Sequence, residues 1–167
     1  MRRLLALLLP LALSGCAGEP APASGDGEGP AWSFTAIDGR TYSRDEPRGN
    51  ATVLFFMATW CGSCRTKAPV VADVVDDFRE QGLRAFSIGF DPSETAEQLR
   101  AWQERYDQPW PHGVDPALRV VRAFDVRSQS TVVVLDAQGH VVEHFGYGQV
   151  TDAGLRRAVE RALASSA

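Results

Sequence analysis

The chain is predicted to fold as an α/β sandwich built around a mixed central β-sheet flanked by helices. Three observations predict it. Two nearly continuous apolar runs, Ala51 to Met57 and Leu83 to Phe90, read as strands buried on both faces. Each run is followed by apolar residues at helical spacing, which places helices on the sheet. Short alternating segments joined by turn residues stand at both ends of this region and predict antiparallel pairs there.

Taken in order, Trp32 to Ile37 and Arg40 to Ser43 flank Asp38-Gly39 and form an N-terminal β-hairpin. After the strand Ala51 to Met57, a helix runs from Gly62 to about Gln81, with Val70, Val71, Val74, Val75 and Phe78 facing inward. Gly82 ends it, and Pro69 falls inside it and is expected to kink it. Past the second buried strand, Ser93 is expected to cap a helix through Tyr106, with Leu99, Trp102 and Tyr106 apolar-side. Pro109 to Asp115 is read as a short extended segment, and Pro116 to Phe124 as a short helix with Pro in its first turn. Thr131 to Leu135 and His140 to Phe145 flank Asp136-Ala137-Gln138-Gly139 as a second hairpin, and Thr151 caps a last helix to about Ala164.

The N-terminus carries location. Met1-Arg2-Arg3 is basic, Leu4 to Leu13 is apolar, and Leu13-Ser14-Gly15-Cys16 is a small-residue cleavage site ending in cysteine. This is an export signal, too short to span a bilayer. Leu13-Ser14-Gly15-Cys16 resembles the bacterial lipobox, and the resemblance implies cleavage before Cys16 with lipid on that residue. Residues 1–15 are thus read as a lipoprotein signal peptide, 16–30 as a lipid-anchored flexible linker of Gly, Pro, Ala, Ser and acidic residues, and 31–167 as the folded domain. Ala17 leans the anchor toward an outer membrane, but which membrane carries it stays open. Loss of Arg2 and Arg3 takes the net charge from −4 to −6, and no basic patch points to nucleic acid. About 135 residues remain, enough for one domain with one core, and a monomer is expected.

The chemistry centres on Phe55-Phe56-Met57-Ala58-Thr59-Trp60-Cys61-Gly62-Ser63-Cys64, where a strand meets a C-x-x-C and becomes a helix. A first helical turn offers unpaired N–H donors and the positive end of the helix dipole, both of which favour a thiolate. Cys61 is therefore the candidate nucleophile, and Cys64 is near enough to close a reversible disulfide with it. Half a zinc site is the competing reading, but only Cys16 remains besides the pair, and no second ligand pair has the spacing of a structural zinc site. No nucleotide-binding glycine motif occurs, so the Cys61–Cys64 disulfide is the only redox group expected and no other cofactor is required.

These residues resemble the thioredoxin fold, and among its members the membrane-anchored TlpA-like or ResA-like proteins. The likeness covers nearly everything from Trp32 onward. It rests on the hairpin, Ala58-Thr59-Trp60-Cys61-Gly62-x-Cys64 followed by Arg65, Pro69, the inserted helix around Glu94 to Tyr106, and the Val134-Leu135-Asp136-x-x-Gly139 turn. It implies thiol:disulfide exchange with protein cysteines outside the cytoplasm, often as reduction of apocytochrome or other protein disulfides, with a membrane or extracytoplasmic thiol partner as electron donor or acceptor; reductase is the direction expected, and reductant versus oxidant stays open. Supporting roles then fall to Trp60, Gly62, Ser63, Lys67 and Pro69.

Three departures stand out. Where the family has a proline in cis, this chain has Ser130, within Gln129-Ser130-Thr131; a trans Gln129–Ser130 bond is expected, because cis before a non-proline costs about 3–4 kcal/mol. This loop is expected to bind extended substrate through its backbone, with the Ser130 hydroxyl as an added donor. Phe55 and Lys67 stand where relatives carry carboxylates, and the Lys67 cation is expected to favour a thiolate if it approaches either sulfur. Ser63 replaces the proline common between the cysteines, a dipeptide that tunes the potential.

Other residues carry weaker signals. His140 and His144 share a strand face and His112 lies in a breaker-rich segment; all three read as solvated residues and no metal site is expected. Asp73, Asp76 and Asp77 read as a solvated helix face. The rival function is metal binding or delivery, with the two thiolates and a histidine holding a soft ion such as Cu(I). A peroxidase is disfavoured because Thr59 stands only two residues before Cys61 rather than three.

Overall fold

The computed structural model describes residues 28–45 and 49–165. The signal peptide, Cys16 and most of the linker lie outside the described residues. The linker's last residues are docked: the Gly29 N–H donates to the Gln138 carbonyl at 3.2 Å, and the Arg44 guanidinium donates to the Gly29 carbonyl at 2.7 Å. Ordered contact with the domain thus begins before residue 31.

A hairpin of β1 (Ser33–Thr35) and β2 (Thr41–Ser43) opens the domain, turning at Asp38-Gly39 as the sequence predicts. The Asp38 carboxylate accepts from the Arg40 N–H at 2.9 Å and the Tyr42 hydroxyl at 2.8 Å. The Arg40 bond, then the Tyr42 bond, hold its pKa below the ordinary carboxylate value.

The main elements follow as β3 (Ala51–Met57), α1 (Gly62–Phe78), β4 (Leu83–Gly89), α2 (Ala96–Arg105), β5 (His112–Val114), α3 (Arg119–Ala123), β6 (Thr131–Asp136), β7 (Val141–Phe145) and α4 (Asp152–Ala164). A 3₁₀ turn, Arg79–Gln81, tightens the end of α1, and Gly82 at φ 90° stops it in the left-handed conformation that glycine adopts without steric cost. The five main strands lie in the order β5-β4-β3-β6-β7. β3, β4 and β5 run parallel, and β6 and β7 are antiparallel to their neighbours, which makes the sheet mixed.

Strand alternation divides the core. Val53, Phe55 and Met57 of β3 face α1, α2 and α4, together with Val71, Val74, Leu99, Trp102, Leu155 and Val159. Leu54 and Phe56 face the other way, into a cluster formed by Trp32, Phe34 and Tyr42 of the hairpin and Val120, Val121 and Phe124 around α3. Both cysteines belong to the first cluster, so the site is anchored in the larger core.

Three expected details are corrected. The cap of α2 is Thr95, not Ser93: Thr95 and Gln98 form a reciprocal capping box, while Ser93 is drawn back onto Asp91. The short helix α3 begins at Arg119 rather than Pro116. The Asp115 carboxylate accepts the N–H groups of Arg119, Val120 and Val121, and so defines its start. His112 is not solvated: it sits on β5, fully buried, between the Trp110 carbonyl at 2.9 Å and the Gln108 amide oxygen at 3.2 Å. Burial lowers its pKa to about 4, against the Trp110 bond that works to raise it. His140 lies just ahead of β7 and pairs with Asp136, and His144 is exposed, so the three histidines do not converge. Among the described residues no helix is long and apolar enough to cross a membrane.

Candidate active site

β3 ends at Met57, and the chain turns at Ala58-Thr59-Trp60-Cys61, closed by the Cys61 N–H donating to the Ala58 carbonyl at 3.0 Å. Cys61 is the N-cap of α1, and its sulfur accepts the Cys64 N–H at 3.0 Å. A sulfur thus occupies the place a cap oxygen normally takes, at the positive end of a 17-residue helix. Cys61 and Cys64 form a disulfide with Cα atoms 5.2 Å apart, within the usual range for such a bridge. Cys64 is fully buried, and what little of the pair remains exposed belongs to Cys61.

The turn that presents Cys61 is held from two sides. The Thr59 carbonyl accepts from the Arg65 guanidinium at 3.0 and 3.3 Å, and the Thr59 N–H donates to the Glu94 carboxyl. Trp60 does not fill the core. The residue is 56% exposed and its indole N–H donates to Asp91 at 2.9 Å. The Ser93 N–H, the Ser93 hydroxyl and then Trp60 hold the Asp91 carboxyl below its ordinary pKa. Gly62 is exposed at the helix start, and Pro69 is exposed further along α1.

On the other side, the Ser63 and Ser130 hydroxyls lie 2.9 Å apart in a hydrogen bond. Ser130 is fully buried at φ 62°, its preceding peptide bond is trans, and its carbonyl accepts the Gly148 N–H at 3.0 Å. A side chain at Gly148 (φ 64°) would bring its Cβ within 2.9 Å of the Ser63 hydroxyl, so glycine there permits the close approach. The Ser130 hydroxyl, expected as an added donor to substrate, is thus paired with Ser63, and the Ser130 carbonyl is paired with Gly148. Thr131 is buried with its hydroxyl on the Ser128 carbonyl at 2.8 Å, and Gln129 is half-buried.

Lys67 is half-buried within α1, and its side chain makes no hydrogen bond or ion pair among the described residues. Asp76 and Asp77 are exposed and pair with Arg79 and Arg156, and Asp73 is exposed, as a solvated face requires. Among the described residues no three metal-ligating side chains converge. Sequence reasoning missed Glu94, Asp91 and Gly148. Asp91 and Glu94 sit in a cap-like Asp91-Pro92-Ser93-Glu94-Thr95 stretch that reads as ordinary helix-start chemistry, and only the tertiary fold brings them to Thr59 and Trp60.

Comparison with known proteins agrees with this geometry. The AhpC/TSA family model matches residues 26–144. A thiol-disulfide oxidoreductase ResA of Bacillus cereus is 24% identical over 70% of this chain, and the match spans 66% of that relative, just under two thirds of its length. The thioredoxin-like protein YneN of Bacillus subtilis is 27% identical over 74% of this chain and 72% of its own. A putative thioredoxin from Neisseria meningitidis superposes with a TM-score of 0.72 at 21% identity, covering 84% of this chain and 93% of the other. A thiol pair at the start of α1, on this sheet order, with these relatives, places the chain in the AhpC/TSA family and gives it the thioredoxin fold.

Proposed function

We propose that this protein is an extracytoplasmic, lipid-anchored thiol:disulfide oxidoreductase that reduces disulfides in other proteins through Cys61 and Cys64. The observation that carries the reading is Cys61 as the N-cap of α1 with its sulfur on the Cys64 N–H, disulfide-bonded to a Cys64 that has no solvent exposure. In the reduced pair the Cys61 thiolate attacks one sulfur of a substrate disulfide. A mixed disulfide forms, and the other substrate sulfur leaves as a thiolate that takes up a proton. The Cys64 thiol then loses its proton and attacks the Cys61 sulfur, releasing the second substrate thiol. Two electrons have passed from the pair to the substrate, and a donor dithiol returns them. Cys61 is the attacking partner, because a helix N-terminus favours a thiolate at that position. Names of relatives such as ResA support the exchange chemistry, and the Met1 to Cys16 pattern supports export and anchoring.

The direct test is variant trapping. Cys64→Ala is expected to accumulate a mixed disulfide with a disulfide-bonded substrate protein, and Cys61→Ala to accumulate none. Equal trapping by both variants contradicts the assignment of Cys61 as nucleophile.

A further inference from the structure

Glu94 is the buried carboxyl that the exchange chemistry above does not use. It precedes the Thr95 cap of α2, a position where a charged side chain normally extends into water, yet it is only 8% exposed. One oxygen accepts the Thr59 N–H, and the other is buried with no partner. A glutamine would satisfy the same N–H without bringing an acid into the site, so the carboxyl is not explained by the hydrogen bond alone. Oε2 lies against the tip of β4, where a Cβ on Gly89 would come within 3.1 Å of it.

We propose that Glu94 is a positioning residue for the exchange reaction: by holding the Thr59 amide it fixes the turn that sets Cys61 on the start of α1. The inference rests on the exchange reading only for its catalytic meaning. The chain of contact is short: Glu94 to the Thr59 N–H, Thr59 to Trp60, and Trp60 to Cys61. The same turn is gripped by Arg65 on the Thr59 carbonyl and by Asp91 on the Trp60 indole, so the loop ahead of α2 and the first turn of α1 close on it from opposite directions.

The hold is also proton-linked. Burial, opposed by the Thr59 amide and the nearby Thr59 side chain and reinforced by Asp91, raises the Glu94 pKa above the ordinary carboxylate value. The charge that acts on it is Asp91 on its own loop, committed to Ser93 and Trp60; among the described residues, Arg65 on α1 is committed to the Thr59 carbonyl, and Asp115, whose N–H donates to the Gly89 carbonyl, is committed to the start of α3. An ionised carboxyl grips an N–H about twice as strongly as a neutral one, so the turn tightens as Glu94 loses its proton.

The test follows the Thr59 amide by ¹⁵N NMR from about pH 4 to about pH 9, together with iodoacetamide alkylation of Cys61 in the reduced protein. Wild type is expected to show a Thr59 shift that titrates above the ordinary carboxylate range and an alkylation rate with a step at the same pH. Glu94→Gln keeps the Thr59 amide protected but loses both the titration and the step. Glu94→Ala exposes the amide to exchange roughly tenfold faster, the loss expected for one charge-assisted hydrogen bond. A Glu94→Ala variant with native circular dichroism, wild-type Thr59 protection and wild-type alkylation at every pH overturns the proposal. If Glu94→Ala does not fold, a Thr59 titration unchanged in Glu94→Gln overturns it instead. A pair that never cycles with glutathione defeats the exchange reading but leaves the Thr59 titration in place, so the two failures are distinguishable.

Discussion

Ser130 shows how one side chain can redirect a loop. Its hydroxyl is bonded to Ser63, inside the C-x-x-C, and its carbonyl to Gly148, so it ties the dipeptide between the cysteines to the β7–α4 connection. It does so at φ 62°, a conformation that costs a non-glycine residue about 1–2 kcal/mol. Proline, fixed near φ −65°, cannot adopt it. Ser130→Pro, which would bring the chain nearer its resemblance family in sequence, is therefore expected to lower stability by about 2 kcal/mol or more in urea unfolding. Ser130→Gly relieves the strain while losing one hydrogen bond worth about 1 kcal/mol, and is expected to change stability little. A Ser130→Pro variant as stable as wild type contradicts this account. The two cysteines were legible in the sequence because strand, C-x-x-C and helix periodicity are all local. Glu94 and the engagement of Ser130 were not, because both depend on partners 35 and 67 residues away.

At the scale of elements, local signals did well wherever a cap or turn is made by neighbours in sequence. The Asp38-Gly39 hairpin, the Thr151 cap of α4 and the Gly82 stop of α1 all formed where the pattern put them. The displaced starts of α2 and α3 have one cause, competition between adjacent cap-forming residues. Ser93 and Thr95 compete ahead of α2, and Gln98 decides for Thr95 by completing the capping box. Asp115 and Pro116 compete ahead of α3, and the carboxylate wins by accepting three N–H groups. Thr95→Ala and Thr151→Ala are each expected to cost about 1 kcal/mol, while Ser93→Ala costs less. A thermal melt checks the order: each threonine variant is expected to melt about 3–4 °C lower, and a larger loss in Ser93→Ala contradicts the cap assignment.

Across the whole molecule, two buried titratable groups give stability a pH dependence of opposite signs. His112 is neutral in the folded state with a pKa of about 4 and takes a proton at 6.5 when exposed. Between those values the unfolded chain binds more protons, so the His112 contribution is fully present above pH 6.5 and is lost as pH falls toward 4, worth about 3 kcal/mol in all. Glu94 acts in reverse. Its folded pKa is raised, so its contribution is present at low pH and lost as pH rises through that value. Urea unfolding at neutral and acid pH is expected to show a smaller acid loss in His112→Gln than in wild type; an identical loss in both contradicts the assignment. Neither group was legible beforehand, because the burial of each depends on tertiary neighbours. His112 is buried because β5 pairs with β4 at the sheet edge and is overlaid by Trp110 and Gln108, a tertiary arrangement that its breaker-rich sequence gives no sign of.

The central claim is that Cys61 and Cys64 form a two-electron couple that reduces other proteins. It is tested most directly by equilibrating the protein in glutathione buffers of graded potential and counting alkylated thiols by mass spectrometry. The account predicts that both thiols appear together in one two-electron transition with a potential near that of thioredoxin, about −270 mV. A potential near that of the strong oxidant DsbA, about −120 mV, would contradict the reducing direction, and thiols that never interconvert with the disulfide would contradict the claim itself.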